Sequence, residues 1–202
     1  MENRRGLYAI TDSTLGPRLL PAVRAALEGG IVLLQYRDKS ADPVRREDEA
    51  HALLALCREF ACPFLINDDI ALALKTGADG VHLGRSDGEL HSAREVLGTG
   101  AIIGATCHDS LEFAAKAAAA GASYLAFGAI YASRTKPGAG TASLDTLAAA
   151  KRFKLPVVAI GGISADNAAP VIAAGADCLA VISDLWRAPD ITARVREFSR
   201  LF

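Results

Sequence analysis

Four positively charged side chains stand where they could hold a phosphate group. Arg37 and Lys39 are two residues apart after one apolar stretch, and Arg134 and Lys136 have the same spacing in a long polar segment. Guanidinium and ammonium groups are well suited to binding phosphate oxygens. Taken singly, Arg37 and Lys39 are equally well explained as ordinary solvated charges, so the interpretation depends on whether the fold brings the four cations together.

Two aspartates indicate a second kind of chemistry. Asp68 and Asp87 each follow a short apolar run, and carboxylate oxygens are ligands that Mg²⁺ prefers. The simpler alternative for Asp68 is that it caps the next helix. Carboxylates beside cations favour a diphosphate that is held partly by a metal ion and partly by Lys and Arg. The reaction would then displace diphosphate or transfer a group at a phosphate.

The elements that must position these residues recur four times along the chain. A small-residue turn leads directly into an apolar stretch at Gly29, Gly77, Gly121 and Gly175, which are 48, 44 and 54 residues apart. Four further apolar runs lie between these copies. A period of this length fits two βα units, so the sequence predicts an α/β fold of the (β/α)8 TIM-barrel class, as a single compact domain over residues 1–202. An open doubly wound sheet is the alternative, and the fourfold repeat argues against it.

The predicted strands are apolar throughout, which is typical of parallel strands that are buried on both faces. Polar residues are dense directly after them, at the rim where barrel enzymes have their active sites. We expect strand five to end at Ala105, so that Thr106 and His108 follow it. His82 is expected to be a packed or internally hydrogen-bonded histidine, and Asp166 is expected to cap the helix after strand seven.

Two segments near the end of the chain add backbone groups that bind anions. Gly161-Gly162 follows strand seven, and Ile182-Ser183 follows strand eight. A phosphate site after these two strands recurs in barrels, because N–H groups there point at the ligand. A tight turn without a ligand is the alternative for Gly161-Gly162.

Composition excludes several classes of protein. The net charge of −1 gives no support for a nucleic-acid partner or an anionic membrane surface. No apolar run approaches the ~20 residues of a membrane span, and the N-terminus lacks the apolar core of a signal peptide. The four cysteines have no C-x-x-C spacing, so we expect reduced thiols in a cytoplasmic protein.

Seven short segments carry a resemblance that spans the chain nearly end to end. They are residues 7–12 (LYAITD), 35–39 (QYRDK), 67–69 (NDD), 80–84 (GVHLG) with Asp87, 127–136 (FGAIYASRTK), 159–163 (AIGGI) and 181–183 (VIS). Any one of these motifs is weak, whereas all seven in this order are specific. The chain closely resembles the thiamine phosphate synthase (thiamine-phosphate pyrophosphorylase) family.

The resemblance implies a reaction, a cofactor and a site. The family joins hydroxymethylpyrimidine diphosphate to a thiazole phosphate, giving thiamine phosphate and diphosphate, with Mg²⁺ as cofactor. It implies metal binding by Asp68 and Asp87 and catalytic roles for Arg37, Lys39 and Lys136. The substrate-binding residues that it implies are Gln35, Tyr36, Arg37, Asp38, Lys39, Asn67, Thr106, Ser133, Arg134, Thr135, Lys136, Gly162, Ile182 and Ser183.

Three positions depart from the family pattern and leave alternatives open. Thr106 stands where Ser is usual, Arg85 where Gln is common, and Ser133-Arg134-Thr135 replaces a Thr-rich string. A related thiazole tautomerase shares the barrel, the Gly-Gly turn and a histidine near His108, but it typically lacks the Gln-x-Arg-x-Lys string and the paired aspartates. The synthase is therefore favoured over that isomerase, over a non-catalytic thiazole-phosphate-binding homologue and over a sugar-phosphate isomerase. Pairing of barrels into a homo-oligomer also stays open.

Overall fold

The eight predicted strands close into a parallel barrel. The computed structural model describes residues 4–84, 87–131 and 142–202, and in it each strand pairs with the next in chain order while β1 pairs with β8. This confirms the (β/α)8 TIM barrel. The strands are β1 (Gly6–Ile10), β2 (Leu33–Tyr36), β3 (Phe64–Asn67), β4 (Gly80–Leu83), β5 (Ile102–His108), β6 (Tyr124–Gly128), β7 (Val157–Ile160) and β8 (Cys178–Val181).

Helices follow the strands and cover the outside of the barrel. They are α1 (Leu19–Gly29), α2 (Pro43–Glu59), α3 (Ile70–Thr76), α4 (Asp87–Leu97), α5 (Leu111–Ala119), α6 (Leu144–Ala150), α7 (Ala168–Ala173), α8 (Ser183–Trp186) and α9 (Ile191–Ser199), with 3-10 turns at Ser13–Arg18 and Lys151–Phe153. Within the described ranges, no helix combines the length and apolarity needed to cross a membrane.

The strands build two apolar cores, one on each face of the sheet. Tyr8, Leu33 and Leu65 point into the barrel interior, whereas their neighbours pack between the sheet and the helices. Because both faces are buried, the strands have no polar alternation, as the sequence predicts for a covered parallel sheet.

Two sequence-based details are wrong. β5 does not end at Ala105 but continues to His108, so Thr106 is a strand residue; its hydroxyl faces a polar partner, His82, inside the barrel. Asp166 does not cap α7. Asn167 is the N-cap residue, and its side chain binds the preceding loop instead of the helix, accepting from the Ser164 N–H at 2.8 Å.

A repeated hydrogen bond closes the N-terminal end of the barrel. In three copies of the recurring turn, the polar residue before an even-numbered strand accepts from a backbone N–H at the start of the preceding strand. These bonds join Phe64 N to Asp79 Oδ2 (2.8 Å), Ile103 N to Ser123 Oγ (3.0 Å) and Val157 N to Asp177 Oδ2 (2.8 Å). The repeat in the sequence therefore marks a stabilising contact at the end opposite to the rim.

We predict that Asp79→Ala lowers the free energy of unfolding by about 1–2 kcal/mol, because the Phe64 N–H loses its acceptor where the barrel closes. Asp79→Asn retains an acceptor oxygen and should lose less. Asp48→Ala, on the exposed face of α2, is the control and should stay within about 0.5 kcal/mol of the parent protein in urea unfolding. Equal stability of Asp79→Ala and Asp48→Ala would contradict the role of this bond.

Candidate active site

Two cations follow β2 at the rim on a backbone that is tied to the barrel. The Arg37 N–H donates to Thr11 Oγ1 at 2.8 Å, and Thr11, directly after β1, is 1 % exposed. Arg37 is half-buried and Lys39 is exposed. Within the part of the chain that the structure describes, neither the Arg37 guanidinium nor the Lys39 ammonium group is paired with a carboxylate. Both charges are therefore available to an anionic ligand.

A network on the outer side fixes the segment that carries these cations. The Tyr36 hydroxyl donates to Glu49 at 2.6 Å, and Arg45 donates to Asp38 at 2.7 Å and to Glu49 at 3.2 Å. Burial acts to raise the pKa of Asp38, but hydrogen bonds from Ser40 and the Arg45 guanidinium hold it below its usual value. Burial, with Glu49, raises the pKa of Tyr36. Tyr36 and Asp38, both in the predicted substrate-binding set, thus direct their polar groups towards α2 and support the segment.

Asp68 presents an exposed carboxylate at the end of β3. Its N–H donates to the His82 carbonyl of β4 at 2.9 Å, and Asn67 Nδ2 donates to its Oδ2 at 2.7 Å. Its φ of 59° lies in the left-handed region, which aspartate tolerates better than most residues. The cap of α3 is Asp69, which accepts from the Leu72 N–H. Capping is therefore excluded as the role of Asp68, and its carboxylate is directed elsewhere.

The proposed second metal ligand begins the helix after the adjacent strand. Asp87 is the first residue of α4, which follows β4, and β4 pairs with β3. The Asp87 side chain lies outside the described part of the chain, as do Ser133, Arg134, Thr135 and Lys136, so their assignments stay predictions. Among the described residues, no group of three or more His, Cys, Asp or Glu side chains could hold a metal ion.

A row of hydrogen-bonded polar side chains crosses the barrel interior beneath the rim. Gln35 Nε2 donates to the Tyr8 hydroxyl, which lies 2.8 Å from the Tyr124 hydroxyl. The Tyr124 hydroxyl is 2.8 Å from His82 Nδ1, and His82 Nε2 is 2.8 Å from Thr106 Oγ1. The expectation that His82 is internally hydrogen-bonded is confirmed. Gln35, at 1 % exposure, belongs to this row, and Thr106 is its end nearest the rim.

Burial sets the protonation states within this row. It lowers the pKa of His82 to about 4, against a weaker opposite effect of Asp68, so the imidazole is neutral near neutral pH. Burial also raises the pKa of Tyr8 and of Tyr124. All members of the row are therefore uncharged.

Sequence reasoning misses both tyrosines, which read as apolar strand residues. The one signal for Tyr124 is Gly104, because a Cβ there would overlap the Tyr124 ring and lie 2.6 Å from His82 Nδ1. A glycine at this point of β5 therefore makes room for the Tyr124 ring, which stacks against the imidazole with ring centroids 5.6 Å apart.

The Gly161-Gly162 turn after β7 requires both glycines. Their φ angles are +103° and +65°, and a Cβ at Gly162 would lie 2.8 Å from the carbonyl oxygen of Tyr131. Asn167 Nδ2 donates to the Gly162 carbonyl at 3.0 Å, and the Tyr131 hydroxyl donates to the Asn167 carbonyl at 3.0 Å.

The next strand ends beside this turn. β7 pairs with β8, Ile182 follows β8, and α8 begins at Ser183. Among the described residues, the N–H groups of Gly162 and Ser183 have no carbonyl partner. The structure thus brings Gly162, Ile182 and Ser183 to one part of the rim, where backbone donors are open to a ligand.

Over the ranges that the structure describes, cations without a carboxylate partner, an exposed carboxylate and backbone N–H groups without an acceptor lie on one rim. This arrangement defines a (β/α)8-barrel enzyme for anionic substrates. The chain belongs to the thiamine monophosphate synthase family, whose model matches residues 7–185.

Relatives of known name agree with this family. The chain is 53% identical to the thiamine-phosphate synthase of Thiobacillus denitrificans over 98% of its own length and 94% of that protein. It is 53% identical to the thiamine-phosphate synthase of Thioalkalivibrio sulfidiphilus over 100% and 97% of the two chains. The solved thiamine phosphate pyrophosphorylase of Pyrococcus furiosus superposes with a TM-score of 0.89 at 38% identity, covering 98% of this chain and 96% of that one.

We predict that Gly162→Ala is more destabilising than Gly77→Ala. Both glycines have φ near +70° (+65° and +73°), but a Cβ at Gly77 meets nothing within 4 Å, whereas at Gly162 it meets Tyr131. Gly77→Ala should cost about 1 kcal/mol for the backbone conformation alone, and Gly162→Ala should cost about 2–4 kcal/mol. Urea unfolding of the two variants measures the difference, and equal losses would show that the turn does not need close packing.

Proposed function

We propose that this chain condenses hydroxymethylpyrimidine diphosphate with a thiazole phosphate, forming thiamine phosphate and releasing diphosphate. The observation that carries the proposal is that two cations and the exposed carboxylate of Asp68 follow neighbouring strands of one barrel, and that neither cation has a carboxylate partner in the described part of the chain. The names of relatives with 53% identity over nearly the whole chain support the choice of substrates.

The diphosphate substrate is assigned to the rim around β2, β3 and β5. Arg37 and Lys39 bind phosphate oxygens there, and Asn67 and Thr106 offer an amide and a hydroxyl. Lys136 adds a third cation from the segment after β6. Gln35 lies in the barrel interior beneath this subsite, where its amide donates to the Tyr8 hydroxyl.

The thiazole phosphate is assigned to the opposite part of the rim. The open N–H groups of Gly162 and Ser183, with the adjacent Ile182, suit a phosphate monoester. Ser133, Arg134 and Thr135 complete this subsite in the proposal. The two anionic groups are then held apart, and the carbon and nitrogen that must bond lie between them.

The chemistry of this pair of substrates matches the side chains available. The bond between methylene carbon and diphosphate oxygen breaks as the aminopyrimidine ring stabilises positive charge on the methylene, and the thiazole nitrogen forms the new bond. Negative charge grows on the leaving diphosphate, and Arg37, Lys39 and Lys136 stabilise it. A neutral ring nitrogen needs no base, so the rate comes from positioning and from electrostatics.

A divalent cation fits the carboxylates at this rim. Asp68 is exposed, is not used as a helix cap and begins a segment beside β4, after which Asp87 opens α4. Hard oxygen donors of this kind, together with phosphate oxygens, suit Mg²⁺. When bound, Mg²⁺ supplies positive charge that offsets the charge of the departing diphosphate.

The remaining assignments concern the domain organisation, the location and the partners of the chain. β1 and β8 pair with one another, which supports a single domain over residues 1–202. All four cysteines are buried, and buried thiols fit a reducing, cytoplasmic location. The partners of the chain in this proposal are the two small-molecule substrates, and pairing with a second copy stays a prediction.

Mixing the two substrates with purified protein tests the proposal directly. We expect thiamine phosphate in the presence of Mg²⁺ and a loss of at least about 100-fold for Asp68→Asn, because removal of one carboxylate ligand weakens the metal site. Asparagine tolerates the φ of 59° at this position, so the fold should be unchanged. Asp48→Asn on α2 is the matched control and should retain full activity.

Two outcomes would contradict this proposal in different ways. Mg²⁺-dependent turnover by Asp68→Asn at the parental rate would remove the metal assignment. Absence of product, together with isomerisation of a thiazole phosphate that His108→Ala abolishes, would favour the tautomerase, since His108 is exposed at the end of β5.

Neutralising the cations after β2 tests the diphosphate subsite. Arg37→Gln and Lys39→Gln should each raise KM for the pyrimidine diphosphate by about 10- to 100-fold, as expected for loss of a charge-assisted hydrogen bond. Arg200→Gln, exposed after α9, is the control and should leave KM unchanged. Steady-state kinetics at saturating thiazole phosphate gives KM and kcat for each variant. An unchanged KM in both site variants would show that the diphosphate binds elsewhere.

A further inference from the structure

The row of polar side chains inside the barrel extends well beyond Thr106, the member that the proposed function assigns to the diphosphate. Five side chains from five different strands, Tyr8, Gln35, His82, Thr106 and Tyr124, form four consecutive hydrogen bonds. The glycine at position 104 leaves the space that brings Tyr124 against His82. Apolar side chains could fill this volume without needing hydrogen-bond partners, so the presence of five connected polar groups calls for a functional explanation.

Assigning a donor and an acceptor to each hydrogen bond shows that all the bonds of the row run in one direction. The Gln35 amide nitrogen is a donor only, so the Tyr8 oxygen accepts from it. The Tyr8 hydroxyl must then donate to the Tyr124 oxygen, since no other acceptor lies beside it among the described residues. A donation in the opposite sense would leave the Tyr8 proton unbonded at 1 % exposure, which is unfavourable for a buried hydroxyl.

The same assignment of donors and acceptors determines which ring nitrogen of His82 carries the hydrogen and leaves the Thr106 hydroxyl as a donor. The Tyr124 oxygen accepts a hydrogen bond from Tyr8, so the Tyr124 hydroxyl donates its own proton to His82 Nδ1. Because Nδ1 accepts, the imidazole carries its hydrogen on Nε2, which donates to Thr106 Oγ1. The Thr106 hydroxyl proton has no acceptor among the described residues, and Thr106 is half-buried, so this proton is available to a ligand.

We propose that this one-directional chain holds the Thr106 hydroxyl as a hydrogen-bond donor to a phosphate oxygen of the anionic substrate, with Gln35, Tyr8, Tyr124 and His82 acting as positioning residues. The proposal rests on the proposed function for the identity of the anion as a diphosphate. It explains why the second nitrogen of a histidine inside the barrel faces a hydroxyl near the rim. A donor already oriented before binding loses less entropy when the ligand arrives.

The tautomer of His82 tests the direction without any enzymatic assay. In protein labelled with ¹⁵N-histidine, long-range ¹H–¹⁵N spectra near neutral pH should show His82 with Nε2 protonated and Nδ1 unprotonated, with the signal assigned by its loss in His82→Gln. Gln35→Met removes the donor that sets the direction, so both tautomers should become populated. Leu65→Met, in the same interior layer but outside the row, is the control and should leave the tautomer unchanged.

Binding of inorganic diphosphate with Mg²⁺, measured by calorimetry, tests the consequence at the rim. Thr106→Val should weaken binding by about 10- to 100-fold, the usual loss for a hydrogen bond to a charged oxygen. Thr106→Ser keeps the hydroxyl and should bind within about threefold of the parent protein. Gln35→Met should weaken binding by a smaller factor than Thr106→Val, because it removes the orientation and not the donor.

Two results would overturn the inference. One is a His82 tautomer with Nδ1 protonated in the parent protein, and the other is diphosphate binding by Thr106→Val equal to that by Thr106→Ser. Failure of the protein to form thiamine phosphate would contradict the proposed function alone, because the tautomer and the diphosphate affinity are measured without the pyrimidine or the thiazole.

Discussion

Closure of β1 against β8 is the constraint on which the whole site depends. Residues Gly6 to Ala9 pair with Cys178 to Val181, so the parallel strands form a ring with all their carboxyl ends on one side. Segments that are distant in sequence, such as the cations after β2 and the open turn after β7, thereby share a rim. On its other side β1 pairs with β2, which places Thr11 where its hydroxyl accepts from the Arg37 N–H.

The two ends of the barrel satisfy their polar groups in opposite ways. At the N-terminal end, carboxylates and a hydroxyl of the repeated turns accept from strand N–H groups, and Asp177 also binds Lys151. At the rim, Arg37, Lys39 and the N–H groups of Gly162 and Ser183 are open within the described residues. Stability is thus concentrated at one end, and groups free to bind ligand are concentrated at the other.

The sequence predicts the fold well because a covered parallel barrel has a simple signature. Four glycine turns and eight apolar runs are local features, and they determine strand order once right-handed βα units are assumed. The partner of a polar side chain is not a local feature. Tyr8 and Tyr124 are 116 residues apart and read as ordinary strand residues, so their contact and the inward direction of Thr106 emerge only from the three-dimensional arrangement. Tyr36 and Asp38 show the converse, since their motif predicts substrate contact and the structure shows their polar groups bonded to Glu49 and Arg45.

The position of a divalent cation together with diphosphate tests the central claim most directly. In crystals grown with Mn²⁺ and inorganic diphosphate, the account predicts an anomalous peak within coordination distance of the Asp68 and Asp87 carboxylates, with diphosphate oxygens contacting the ion, Arg37 and Lys39. Manganese or diphosphate bound away from this rim, or carboxylates of Asp68 and Asp87 that are too far apart to share the ion even through water, would contradict it.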